Sequence, residues 1–125
     1  MSFAATLYNA LGGHGGLSAL VGARIYPDVA PMAVAVPYIV WSEVGNTPMN
    51  NMDGGVPDVN NYRVQLAVLA GSALQARNVA EQVRTAMATA SGFKSLEVDY
   101  GSLDFDDGSK VFGVRVDFSV WYRNA

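Results

Sequence analysis

The chain has no cysteine and few charged residues among its 125 positions. The lack of cysteine excludes disulfides and thiol chemistry, and it leaves the redox compartment unreadable. Charged residues make up 15% of the chain, against about 25% in an ordinary soluble domain. Either this is a small domain rich in alanine and valine, or part of its uncharged surface is covered by other subunits, because interface centres are depleted in charge.

Basic runs are missing as well. The net charge is −3, and the eight Lys and Arg residues are scattered along the chain. Because nucleic-acid-binding proteins usually carry a basic patch or stripe, we expect no tight binding to duplex DNA. The longest apolar run, Val29–Trp41, contains Pro31 and Pro37 and is too short to cross a bilayer. The N-terminal residues lack the positive segment of a secretory signal, so we expect no membrane partner and synthesis in the cytoplasm.

No catalytic or metal-binding motif stands out. The single histidine, His14, has two glycines on each side. One histidine without cysteine offers no zinc ligand set of the usual kind, and no nucleophile is spaced around it. The glycines of Gly12–Gly16 match neither the Walker loop nor the dinucleotide fingerprint. We therefore interpret His14 as a loop residue and predict no enzymatic activity, no cofactor and no metal.

The clearest element is a strand from Val111 to Arg123, where apolar and polar residues alternate. A period of 2 over this length predicts a long strand with one face on a core. Its second face carries Arg115, Asp117, Trp121 and Arg123. Such residues form cross-strand ion pairs or a contact surface, in which Trp and Arg are favoured anchors.

Other segments give a coarse order of elements. Apolar spacing predicts a helix from Phe3 that ends at the glycines, and a longer helix after Ser72, whose hydroxyl is placed to cap it. The remaining assignments are one or two turns of helix at Leu17–Val21, an extended Ile25–Pro27, strands at Tyr38–Val44 and Tyr62–Ala70, a strand or pair of strands at Phe93–Phe105 (broken at Gly101), a loop at Gly45–Asn60 and a tight turn at Asp106–Ser109.

This order predicts a single domain over residues 1–125 with an α+β fold. Two hairpins joined by a helix suggest a four-stranded, mainly antiparallel sheet. With the helices packed on one face, the architecture is a two-layer sandwich.

Two further groups are candidate contact residues. The first group is acidic and lies at the predicted hairpin turn: Asp104, Asp106 and Asp107. The pattern of a calcium loop is excluded, because position 12 counted from Asp104 is Arg115 rather than Glu. The acidic group is therefore either a solvated tip or a contact with a neighbouring subunit. Met49 and Met52 lie in the predicted long loop, and flexible methionines suit adaptable surfaces. The interface candidates are Met49, Met52, Asp104, Asp106, Asp107, Arg115, Trp121 and Arg123.

Several segments together resemble a known family. They are LVGARIYP from Leu20, VPYIV from Val36, YRVQL from Tyr62, ARNVAEQVR from Ala76 and VDFSVWY from Val116. In this order and spacing the chain resembles the tail-completion proteins of long-tailed bacteriophages and phage-derived particles, also called tail terminators or tail-to-head joining proteins.

The resemblance implies a structural virion protein without catalytic residues. It implies a homo-oligomeric, hexameric ring that caps the head-proximal end of the tail tube, ends tube polymerisation and meets the head connector. Its partners are then the tail tube protein, the head connector protein and DNA passing through the lumen without specific binding. The location is the virion tail, assembled in the bacterial cytoplasm.

Two alternatives stay open on the residues alone. The chain is also compatible with another head–tail connector or tube component, and tube proteins differ in that they polymerise. It is also compatible with a small oligomeric ligand-binding α+β domain that uses His14 or the aspartate group.

Overall fold

The part of the chain that the structure describes folds into three helices and six strands. The computed structural model describes residues 3–31, 34–49, 59–101, 103–106 and 110–123. In chain order the elements are α1 (Phe3–Gly12), α2 (Gly15–Val21), β1 (Ile25–Pro27), β2 (Tyr38–Met49), β3 (Val59–Ala70), α3 (Ala73–Thr89), β4 (Lys94–Tyr100), β5 (Asp104–Asp106) and β6 (Val111–Arg123).

All six strands form one mixed sheet in the order β1-β2-β3-β6-β4, with β5 also beside β6. The pair β1–β2 is parallel and the other pairs are antiparallel. The predicted α+β class is confirmed, but the predicted four strands are wrong. The count of four left the extended Ile25–Pro27 outside the sheet. It also took Phe93–Phe105 as one strand, although the predicted break at Gly101 is present and separates β4 from β5.

The predicted loop Gly45–Asn60 is wrong at both ends. Strand β2 continues to Met49 and β3 begins at Val59, with Pro48 paired opposite Asn60. Beyond Trp41 the parallel neighbour β1 has ended, so β2 is an edge strand there, and a sheet edge tolerates proline. The Gly and Pro content that suggested a loop is thus compatible with a paired strand.

Strand β6 behaves as its alternation predicts. Val114, Val116, Phe118, Val120 and Tyr122 are buried, whereas the residues between them are exposed or half-buried. The side chains on this face of β6 continue the buried rows of β2 and β3, because the register places Ile39, Val68 and Val114 side by side.

Helix α3 packs on this buried face. Ala76, Val79, Ala80, Val83 and Ala86 are buried at helical spacing, and small side chains allow the helix to approach the sheet closely. The predicted cap is present: the Ser72 hydroxyl accepts a hydrogen bond from the Gln75 N–H at 3.1 Å. The Gln75 side chain in turn accepts from the Gly71 N–H at 2.9 Å.

Helices α1 and α2 complete the same layer. Phe3, Leu7 and Leu11 of α1 and Leu17 and Val21 of α2 are buried in the common core. The predicted break at the glycines is confirmed, with α1 ending at Gly12. Helix α2 starts at Gly15, two residues earlier than the apolar spacing predicted.

Candidate interaction surface

The second face of the sheet has no helix on it in the described part of the chain, and we call it the open face. Its side chains come from alternate residues of β2, β3, β4 and β6, between the residues that fill the core. Its members are Tyr38, Val40, Asn61, Arg63, Gln65, Ala67, Leu69, Lys94, Leu96, Asp99, Arg115, Asp117, Ser119, Trp121 and Arg123. This face carries charged, polar, aromatic and aliphatic side chains.

The centre of the open face is polar. Asn61 donates from Nδ2 to Ser119 Oγ at 2.8 Å, which ties β3 to β6. Arg63 and Arg115 are exposed, and within the described residues neither forms an ion pair with Asp117. The ion pairing that the sequence suggested is therefore not observed for Arg115 and Asp117 among the described residues.

One end of the open face carries two tyrosine rings and a shallow hollow of mixed polarity. Tyr26 and Tyr38 pack edge to face with ring centroids 6.4 Å apart. Leu69, which pairs with Tyr38, lines a hollow of about 250 Å³ together with Gln65 and Arg115. The hollow is open, so it suits a side chain of a partner better than an enclosed ligand.

The other end of the open face exposes two large apolar side chains. Trp121 on β6 is 37% exposed, and Leu96 on β4 is 62% exposed. Leu96 pairs with Ser119, and Lys94 pairs with Trp121, so Leu96 and Trp121 are diagonal neighbours on one face. Tryptophan with an adjacent apolar residue is typical of a contact surface.

Six of the eight predicted interface residues lie on three strands of the sheet. Arg115, Trp121 and Arg123 lie on the same side of β6, as the alternation predicted, and all three are exposed. Asp104 is exposed on β5, at the start of the hairpin that leads into β6, and Asp106 ends β5. Met49 ends β2. Met52 and Asp107 lie outside the described residues, and a role in contacts stays a prediction for all eight.

His14 lies away from the open face, at the start of α2. Its Nε2 is 3.2 Å from Gln82 Oε1, beside an open groove of about 370 Å³ between α1 and the end of α3. No group of three or more His, Asp or Glu side chains that could hold a metal occurs among the described residues. The contact with Gln82 gives His14 a structural partner that sequence spacing could not identify.

Arg84 joins α3 to β4 through a polar clasp, a set of hydrogen bonds that the sequence did not predict. Arg84 donates from Nε and Nη2 to the two carboxylate oxygens of Glu97, at 2.5 and 3.1 Å, and from Nη1 to Glu81 at 2.8 Å. Its guanidinium also lies 4.8 Å from the ring centre of Tyr100. The hydrogen bonds to Glu97 and Glu81 raise the pKa of Arg84. The spacing to Glu81 was visible in the sequence, but the partners on β4 depend on the fold.

No helix in the described part of the chain has the length and apolarity to cross a membrane.

A comparison with known proteins assigns the family. The family described as "Tail completion protein gp17" matches residues 5–123. The chain belongs to this family. The match confirms the resemblance that the sequence showed. The chain is thus a tail completion protein, a structural protein of bacteriophage-like tails.

The fold of this tail completion protein is also found in a solved particle. A chain of the virion of a native gene transfer agent particle superposes with a TM-score of 0.76 at 17% identity, over 98% of this chain and 95% of that one. At this identity the likeness establishes the fold alone. No curated protein matches the chain.

Proposed function

We propose that this tail completion protein forms a closed ring of identical subunits, six in number, at the head-proximal end of the tail tube. The ring ends tube polymerisation and joins the tail to the head connector. Its partners are then further copies of itself, the tail tube protein and the head connector protein, assembled in the host cytoplasm and retained in the virion tail.

The open face is the observation that carries this proposal. A sheet face with exposed Trp121 and Leu96 and with exposed arginines gives a domain of low charge density a large surface for protein contacts. In a member of a tail completion family, the natural occupants of such a surface are other tail subunits. A ring needs a heterologous contact, in which one patch meets a different patch on the next copy.

Charge supports a lumen that lets DNA pass. The net charge of −3 and the scattered cations give the ring little attraction for the phosphate backbone. Asp104, Asp106 and Asp107 add local negative charge, and we place them at the lumen or against a neighbouring subunit. Reversing the charge of all three is then expected to reduce particle yield or infectivity, and unchanged particles would remove this assignment.

The test is native mass spectrometry across a concentration series, with negative-stain images of the same sample. A discrete hexamer with a central hole is the expected result. Purified tail tubes are then polymerised with and without the protein, and their lengths are measured. A terminator stops growth at a single ring, whereas a tube component is incorporated along the tube. Unlimited polymers of the protein itself, or tubes of unchanged length, would contradict the proposal.

A further inference from the structure

Two carboxylates face each other on the open face. Asp99 of β4 pairs directly with Asp117 of β6, and the Cβ atoms of such pairs lie about 4.5–5.5 Å apart. Like charges in this arrangement repel each other. In addition, Asp117 Oδ1 is buried and has no hydrogen-bond partner among the described residues. Among the described residues neither carboxylate forms an ion pair, and a cation bound between the two would offset their repulsion.

A census of the cations identifies one candidate on a different surface. The chain has eight Lys and Arg residues. Seven are either bonded within the chain or already on the open face: Arg24, Arg63, Arg84, Lys94, Lys110, Arg115 and Arg123. The eighth is Arg77, which is exposed on α3 and makes no hydrogen bond or ion pair within the described part of the chain.

An exposed leucine lies close to Arg77, as one also does to the carboxylate pair on the open face. Leu74 lies one turn earlier on α3 and is 70% exposed, although α3 is otherwise amphipathic. The rise from Leu74 to Arg77 is about 4.5 Å. On the open face, Leu96 pairs with Ser119, two residues along β6 from Asp117, so it lies about 7 Å from the carboxylate pair. The flexible side chain of Arg77 can span the difference between this distance and the helical rise of about 4.5 Å.

We propose that the open face of one copy binds the outer face of α3 on a second copy of this chain. Arg77 of one copy enters between Asp99 and Asp117 of the next, and Leu74 packs against Leu96 and Trp121. The two surfaces lie on opposite sides of the subunit, since α3 covers the other face of the sheet. The contact is therefore heterologous, and it can close into a ring; this interface rests on the proposed ring.

The lack of native cysteine allows a direct test by disulfide trapping. Arg77→Cys and Asp99→Cys are made as separate proteins, mixed, and oxidised with diamide. The expected product is a mixed disulfide-linked dimer at high yield. Arg77→Cys mixed with Glu43→Cys is the matched control, because Glu43 is exposed but lies in the register of the core face of β2. Equal yields in both mixtures would overturn the assigned interface.

A charge exchange gives a second, independent readout. Arg77→Asp alone, or Asp99→Arg with Asp117→Arg, is expected to raise the dissociation constant between subunits at least about tenfold, since a charge pair at an interface loses its partner. In a mixture of these two variants, unlike subunits carry complementary charges at both of their contacts, whereas like subunits repel each other, so the mixture is expected to give oligomers in which the two variants alternate. Glu43→Arg, which changes charge by the same amount as one acidic substitution, is expected to leave association unchanged.

The outcomes separate this interface from the proposed function. If native mass spectrometry finds a ring but the trapping and charge variants behave like their controls, the interface assignment is wrong and the ring stands. If no oligomer forms at any concentration, with or without tail tubes, both proposals are wrong. Thermal melts of each variant confirm that an observed loss of association is not a loss of folding.

Discussion

The ring of Phe3 on α1 lies parallel to the ring of Tyr62 on β3, with centroids 4.1 Å apart and 8° between the planes. Phe3 also meets Phe93 and Tyr122 edge-on or tilted. This aromatic cluster joins the first helix to the central strands β3 and β6.

Phe3→Ala is therefore expected to lower the free energy of unfolding by about 3 kcal/mol, the low end for a buried phenylalanine because Phe3 begins its helix. Urea unfolding monitored by circular dichroism measures the change. Tyr8→Ala on the same helix is the control, since Tyr8 is 41% exposed and is expected to change stability by less than about 1 kcal/mol. Equal losses in the two variants would contradict the anchoring role of Phe3.

Tyr62 is expected to make the stability of the fold fall at alkaline pH. Burial, and then the negative charge of Glu43 and the neighbouring Tyr122, raise the pKa of Tyr62 above its usual 10. Below that value the phenol is neutral in both states and its contribution is complete. Above it the unfolded chain releases the proton first, so stability falls as the pH rises.

Tyr62→Phe is expected to flatten this alkaline decline. Urea midpoints measured from about pH 8 to pH 11 in the wild type and the variant give the slope. Tyr8→Phe, at an exposed tyrosine, is the comparison. An unchanged slope in Tyr62→Phe would assign the decline to other groups.

Arg84 holds the edge strand β4 against α3 through Glu97 and Tyr100. Arg84→Met keeps much of the aliphatic length but removes the charge, and it is expected to speed amide hydrogen exchange in β4 more than in β3. The exchange rate of β4 in Arg84→Lys is expected to lie between those of the wild type and Arg84→Met, because a lysine keeps the charge but cannot donate two parallel hydrogen bonds to one carboxylate. Exchange that rises uniformly across the sheet would indicate global destabilisation and not a local clasp.

Two glycines near the end of α1 differ in the space around them. A Cβ added at Gly13 would lie 2.8 Å from the Asn9 carbonyl oxygen, whereas one at Gly15 meets no atom within 4 Å. We expect Gly15→Ala, in the first turn of α2, to stabilise the protein by about 0.5–1 kcal/mol. Gly13→Ala is expected to destabilise it, because backbone must move. Thermal melts of the pair test this, and the same sign for both variants would contradict the assigned geometry.

The sequence was most informative where a signal is local. The alternation in β6 and the spacing in α3, with Ser72 as its cap, are properties of neighbouring residues, and both were predicted. The continuation of β2 to Met49 was not, because it depends on pairing with β3, which the local Gly and Pro content argues against. The opposition of Asp99 and Asp117 also could not be predicted, since a register shift between Glu97 and Asp99 sets it. Contacts between distant segments thus define the candidate surface, while local patterns define the scaffold.

The two tryptophans separate folding from assembly. Trp41 is 7% exposed and belongs to the core, whereas Trp121 lies on the open face. Trp41→Ala is expected to lower the free energy of unfolding by about 3–5 kcal/mol. Trp121→Ala is expected to change it by less than about 1 kcal/mol, yet to weaken association between subunits at least about tenfold, as truncation of an interface anchor does. Urea unfolding and native mass spectrometry on the same preparations measure both quantities. A Trp121→Ala protein that unfolds as easily as Trp41→Ala would place Trp121 in the core, and one that assembles normally would remove it from the proposed interface.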